Sequence, residues 1–228
     1  MLNSNVIPFL TELNSNNNRE WFTDNKKWYQ QSMDDFKTFI DDLIPHLAQT
    51  DSSLIGLSAK ECVFRIYRDV RFSKDKTPYK IHFGAHIAVG GRKSKGAGFY
   101  LHIEPAGTSF VGGGIFMPEP PILKALRTEF YKVPEELIEI IEDADFKKNF
   151  KNGLWNKDKL KLAPKGFPKD FEHIDLLKNK SFVAVNELSV KEINSNNLIL
   201  ELVKMHKVVY PLNRLINTII DDANSVRF

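Results

Sequence analysis

From residue 62 to residue 116 apolar and polar residues alternate, and the alternation is broken by Lys76-Thr77-Pro78, Gly90-Gly91, Pro105-Ala106-Gly107 and the run Gly112-Gly113-Gly114. The connections so defined are too short for the crossovers that parallel strands need. The segment is therefore expected to fold as an antiparallel meander, with strands over 62–68, 81–89, 98–104 and 108–116.

Helical periods flank this meander. After the Asn-rich stretch 14–18, a good source of helix caps, Trp21, Phe22, Trp28, Tyr29, Phe36, Phe39, Ile40, Leu43, Ile44 and Leu47 recur at three- and four-residue steps. They predict one long amphipathic helix over 19–47 with a core-facing aromatic stripe, its last turn disturbed by Pro45. A shorter helix over 7–13 precedes it. Beyond Pro118, Pro120 and Pro121 suit a first helical turn leading to Ile122, Leu123, Leu126 and Phe130, and Pro134 opens a further helix. Residues 147–180, rich in Lys, Pro and Gly, form a surface excursion with a small helix near 171–177, and 181–187 alternates as another strand. The C-terminus is expected to be a helical pair broken at Pro211. No linker is long enough to separate the chain into independent domains. The expectation is a single α+β domain over 1–228, an antiparallel β-meander packed against the long N-terminal helix and the C-terminal helices.

With 42% hydrophobic and 27% charged residues in 228, the composition is that of a globular chain. No run approaches the roughly 18 apolar residues that span a bilayer, and no Lys or Arg precedes the short apolar segment at the N-terminus, so a cytoplasmic, membrane-free protein is expected. Cys62 is the one cysteine, which excludes an internal disulfide and a Cys-based zinc site. A net charge of +3 does not by itself demand a nucleic-acid partner.

Two features could carry chemistry. Residues 65–80 hold six cations among sixteen residues: Arg65, Arg68, Arg71, Lys74, Lys76 and Lys80. Like charges at that density repel unless Asp69 and Asp75 or an external anion pairs with them, and Tyr67, Phe72 and Tyr79 supply apolar anchors that order the loop. Planar guanidinium forks suit phosphate or carboxylate. The second feature is a face. Along 81–89 the even positions carry His82, Gly84 and His86, and along 98–104 they carry Tyr100, His102 and Glu104, whereas the odd positions are apolar on both strands. A hairpin that buries both apolar sides therefore gathers the polar groups on the other side. Register is free by two residues, so His86 falls opposite His102 or Glu104, which would bring acid–base groups or metal ligands together. His82 and His86, four strand residues or roughly 13 Å apart, cannot share a metal, and no metal site is assigned. The Gly112–Gly114 run lacks the Lys-Ser/Thr pair and the helix of a phosphate loop, so it marks close approach of another element or a ligand, or a bulge.

The motifs Asn16-Asn17-Asn18-Arg19-Glu20-Trp21-Phe22 with Asn25-Lys26, and Phe64-Arg65-Ile66-Tyr67-Arg68-Asp69-Val70-Arg71-Phe72-Ser73-Lys74-Asp75-Lys76-Thr77-Pro78-Tyr79-Lys80, resemble the bacterial and fungal family catalogued as domain of unknown function 2461. Tyr100-Leu101-His102-Ile103-Glu104-Pro105, Met117-Pro118-Glu119-Pro120, Pro164-Lys165-Gly166-Phe167 and Lys180-Ser181-Phe182 extend the resemblance over nearly the whole chain. It implies no activity, substrate, cofactor or catalytic residue.

Three functional readings follow. In the first the protein is an enzyme for a phosphorylated or otherwise anionic small molecule. Arg65, Arg68, Arg71, Lys74, Lys76, Tyr79, Lys80 and Tyr100 would bind the substrate, and His86, His102 and Glu104 would serve as acid–base groups. In the second it is a noncatalytic module for nucleic acid or an acidic partner, with the cations along an exposed stripe, a reading weakened by the low net charge. In the third the basic motif is structural, with Arg65 and Arg68 paired to Asp69, Asp75 or Glu20.

Overall fold

A computed structural model of the chain describes Leu2, residues 5–105 and residues 107–225. Ala106, the middle of the expected turn after Pro105, lies outside the described residues, as do Met1, Asn3 and Ser4 of the N-terminal segment. In chain order the elements are α1 (Val6–Ser15), α2 (Arg19–Asp24), α3 (Lys26–Ala48), α4 (Ala59–Cys62), β1 (Phe83–Ile87), β2 (Gly98–Ile103), β3 (Ser109–Ile115), α5 (Pro120–Lys132), α6 (Pro134–Glu142), α7 (Ala144–Asn149), α8 (Ile174–Leu177), β4 (Phe182–Leu188), α9 (Val190–Ile193) and α10 (Leu198–Ser225). The strands form one antiparallel sheet in the order β1-β2-β3-β4, so the class is α+β.

The chain divides into two compact units. One comprises Met1–Lys93, Tyr100–Val111 and Glu187–Lys204; the other comprises Ser94–Phe99, Gly112–Asn186 and Met205–Phe228. In the first, α1 and α3 bury Phe9, Leu10, Leu13, Phe36, Ile40 and Leu43. Phe83 of β1 meets this layer, its ring centre 5.5 Å from that of Phe36 and 6.1 Å from that of Phe9. The expected single helix over 19–47 is interrupted at Asn25, whose side-chain amide donates to the Trp21 carbonyl at 2.9 Å and whose own φ of −101° and ψ of 16° leave the helical well. Asn18 caps the first piece by accepting from the Trp21 amide at 2.9 Å. Pro45 does not disturb α3, which runs on to Ala48.

Residues 62–68 do not form the expected strand. Cys62 ends α4, held by a capping box between Ser58 and Glu61, and the chain beyond it runs extended with single antiparallel bridges from Val63 to Ala85 and from Tyr67 to Tyr79. The Arg68 amide donates to the Pro78 carbonyl at 3.0 Å and the Lys80 amide to that of Ile66 at 2.8 Å. Residues 65–80 are thus a hairpin-like arm. Its base is fixed by Asn17, which donates to the Tyr79 carbonyl at 2.9 Å and accepts from the Tyr79 amide at 3.2 Å, and by the Tyr79 ring stacked on Phe22 at 3.8 Å.

In the second unit, Phe130, Phe146, Phe150 and Phe182 fill the core with Leu212 and Ile216 of α10. The glycine run allows close approach. A Cβ on Gly113 would collide with Val209, and the Gly114 amide donates to Asn213 Oδ1 at 2.6 Å. Pro211 does not break the C-terminal helix: α10 is continuous, and the Lys207 carbonyl that loses its partner lies at an exposed position where water can serve it.

Candidate functional site

Pairing of β1 with β2 brings His82, just before β1, onto His102 in β2. Their ring centres lie 4.1 Å apart with planes at 33°. Glu104, just past the end of β2 and two residues from His102, points along the same face. Its Oε2 is 2.8 Å from His102 Nε2 and 3.7 Å from His82 Nδ1. On the other side of His102, the Tyr100 hydroxyl is 3.3 Å from Nδ1. Tyr100, His102 and Glu104 therefore form a hydrogen-bonded row along one strand, with His82 alongside it. The histidine that meets His102 is His82; His86 lies four residues further along, roughly 13 Å away by strand geometry.

Packing fixes these side chains. Phe110 of β3 stacks flat on His102 at 4.5 Å and 12°. Two glycines leave room for the row. A Cβ on Gly84 would stand 2.6 Å from the Tyr100 hydroxyl oxygen, and one on Gly107 would overlap Glu104 Oε1. The backbone amide of Glu104 donates to Ser109 Oγ at 2.8 Å, which holds the strand end against the next strand.

Burial dominates the electrostatics. It pushes the His82 pKa down to about 3, with the charges of His102 and Lys80 adding to the effect. Burial also lowers that of His102, against an opposing pull from Glu104. The same cause raises the Tyr100 phenol to about 12 and lowers the imidazolium of His86. At neutral pH the face thus presents two neutral imidazoles and a protonated phenol. The atoms His82 Nδ1 or Nε2, His102 Nδ1 or Nε2 and a Glu104 carboxylate oxygen can be chosen so that all lie within 4.8 Å of one another. Alternation places all three residues on one face, and what it leaves open is the register that sets His82, not His86, against His102.

The cations of residues 65–80 have different partners. Arg68 pairs with Asp75 at 2.6 Å and also donates to the Thr77 carbonyl at 3.0 Å and to the Thr77 hydroxyl. Arg71 forks onto Asp69 through Nε at 3.0 Å and Nη2 at 2.6 Å. Lys76 donates to the Val70 carbonyl at 3.0 Å. Lys74 and Arg65 are exposed, and Phe72 projects into solvent. Lys80 is half-buried with its Nζ 5.3 Å over the Phe64 ring, and among the described residues neither it nor Arg65 has an ion-pair partner. Burial and the neighbouring Arg65 both lower the Lys80 pKa. Tyr79, buried against Phe22, belongs to the base of the arm.

A family model described as conserved hypothetical protein (DUF2461) matches residues 5–214. No curated protein and no solved structure matches the chain. Several of the sequence motifs have visible roles in the fold. Asn17 and Asn18 of the first motif pin Tyr79 and cap α2, and Tyr100, His102 and Glu104 form the polar row. Among the described residues no helix is long and apolar enough to cross a membrane.

Proposed function

The chain belongs to the DUF2461 family of conserved hypothetical proteins, and we propose that it is an enzyme for a small anionic substrate, with the His82–His102–Glu104 face as its reactive centre and Lys80 with Arg65 as its anion-attracting edge. The observation that carries this reading is the meeting of two imidazoles and a carboxylate on a half-buried sheet face. Such a cluster offers neutral bases at physiological pH and excludes much of the water that would screen a charged substrate. Lys80 supports the anionic part. A half-buried ammonium without a carboxylate partner gains most from an incoming phosphate or carboxylate, and its charge already acts on both imidazoles.

The clamp is smaller than six cations. Arg68, Arg71 and Lys76 are engaged within the arm, which favours a structural role for them. Calorimetric titration with inorganic phosphate and turnover of a panel of phosphate and carboxylate esters test the reading together. Lys80→Met should weaken phosphate binding by about 10- to 100-fold, the worth of one charge-assisted hydrogen bond, and His102→Gln should abolish turnover with the melting transition intact. Unchanged phosphate affinity in Lys80→Met, or a wild-type chain that neither binds nor turns over any anion of the panel, would overturn it.

A further inference from the structure

We propose that His82, His102 and Glu104 are the protein ligands of a first-row divalent transition-metal ion, of which Zn²⁺ is the best fit to two imidazoles and one carboxylate. The inference rests on the reading of this face as the reactive centre and gives that centre its chemistry.

Geometry is the first support. Metal–nitrogen and metal–oxygen bonds of about 2.0–2.2 Å place neighbouring ligand atoms of a tetrahedral ion about 3.3–3.6 Å apart. The present separations of 2.8 Å and 3.7 Å to Glu104 Oε2, within a group spanning 4.8 Å at most, bracket that value. Admitting the ion asks the His82 imidazole, now tilted 33° against that of His102 at 4.1 Å, to turn its edge toward the shared position beside Glu104. Three protein ligands leave a fourth position for water or substrate, the pattern of catalytic rather than structural zinc.

The surroundings of the ligands are the second support. A metal-binding imidazole needs its other nitrogen held, and the Tyr100 hydroxyl oxygen, 3.3 Å from His102 Nδ1, can accept a hydrogen bond from Nδ1–H once Nε2 turns its lone pair to the ion. Phe110 fixes the plane of the same ring at 4.5 Å. Gly84 and Gly107 keep clear the space taken by Tyr100 and by the Glu104 carboxylate.

Lys80 completes the picture. Lys80, half-buried and two residues before His82, adds a cation near the ligands, and an anion at the ion's open position would offset both charges. The site accordingly takes metal and anion together, and the ion would polarise a phosphoryl or carbonyl oxygen of that anion or lower the pKa of a bound water.

The test uses the full chain, freed of metal with a chelator and titrated with Zn²⁺ by calorimetry and with Co²⁺ by visible absorption. One equivalent of each should bind, Co²⁺ should show the intense bands of a four- or five-coordinate site, and the melting temperature should rise with metal concentration. Glu104→Gln, nearly isosteric, and His82→Ala should each weaken binding by more than about 100-fold, and Tyr100→Phe, which removes only the hydroxyl, by about 10-fold. Circular dichroism of each variant separates lost ligands from lost fold. Absence of saturable binding by Zn²⁺, Co²⁺, Mn²⁺ and Fe²⁺ in the micromolar range, or Co²⁺ spectra unchanged in a folded Glu104→Gln variant, overturns the inference. If phosphate still binds the metal-free chain in that event, the metal falls and the anion reading stands. If metal binds but no phosphate or carboxylate perturbs the Co²⁺ bands, the metal stands and the anion reading falls.

Discussion

His82 and His102 face each other across adjacent segments of the sheet with ring centres 4.1 Å apart, and one carboxylate, that of Glu104, reaches both. Two imidazoles so close cannot both be protonated without strong repulsion in a half-buried setting, and burial already holds each below its ordinary pKa. The neutral imidazole is the form that can accept a proton or bind a metal ion.

Gly107→Ala separates the site from the fold. The glycine is exposed and its φ lies outside the left-handed region, so alanine is tolerated by the backbone. The added methyl would displace the end of the Glu104 side chain, which is flexible. Chemical unfolding should change by less than about 0.5 kcal/mol, and Co²⁺ affinity should fall by about 10-fold.

Asp75 gives a pH signature. Accepting from the Thr77 amide and hydroxyl and from Arg68 brings its carboxyl down to about 2 from an ordinary 3.8. A depressed folded pKa means that the order of the arm is full above 3.8 and is lost as the pH falls through about 2. The Thr77 amide proton shift should titrate in NMR with its midpoint near 2; a midpoint near 4 would show that the carboxyl is not held.

Phe36 and Trp28 should differ although both belong to the same aromatic stripe. Phe36 is fully buried against Phe83, so Phe36→Ala should cost about 3–5 kcal/mol in chemical unfolding. Trp28 is half-buried beside Phe9, and its removal should cost about 1–3 kcal/mol.

Burial pushes the Cys62 thiol up to about 12, so it should resist thiol reagents at pH 8 until the chain unfolds. Above pH 9 the unfolded chain gives up a proton that the folded chain keeps to about 12. Stability from this group is therefore full below 9 and declines as pH rises. Cys62→Ala should flatten that alkaline slope relative to wild type in urea unfolding at stepped pH.

Period-two alternation was enough to place β2, β3 and β4 and to put Phe83, Phe99, Leu101 and Ile103 in the core, because one buried face leaves strand register little freedom. The misread elements are those where one local group outweighs a pattern. At Asn25 an amide competes with the helix, and at Pro211 solvent compensates a missing hydrogen bond. Residues 62–68 alternate like a strand but find only isolated bridges. The candidate site was legible as a face and not as a set. Whether His82 or His86 meets His102 depends on how residues 88–97 turn, and that stretch, which includes a 3₁₀ turn at Gly91–Lys93, has no alternation to announce its path. Partner choice among the cations was equally hidden, since Arg68 finds Asp75 only once the arm has folded back on itself.

The arm of residues 65–80 carries its own counter-ions. Asp69 and Asp75 each neutralise a guanidinium at 2.6 Å, within a few residues of chain. For a polyelectrolyte such as RNA or polyphosphate, affinity for a basic segment grows with the number of mobile ions that the segment sets free, and a guanidinium already neutralised from within frees none. Two of the six cations are discounted in this way before any partner arrives. The steepness with which added salt would dissolve such an encounter is reduced with them, so a stretch whose composition suggests a polyanion-binding arm behaves toward long, highly charged chains as a much weaker one.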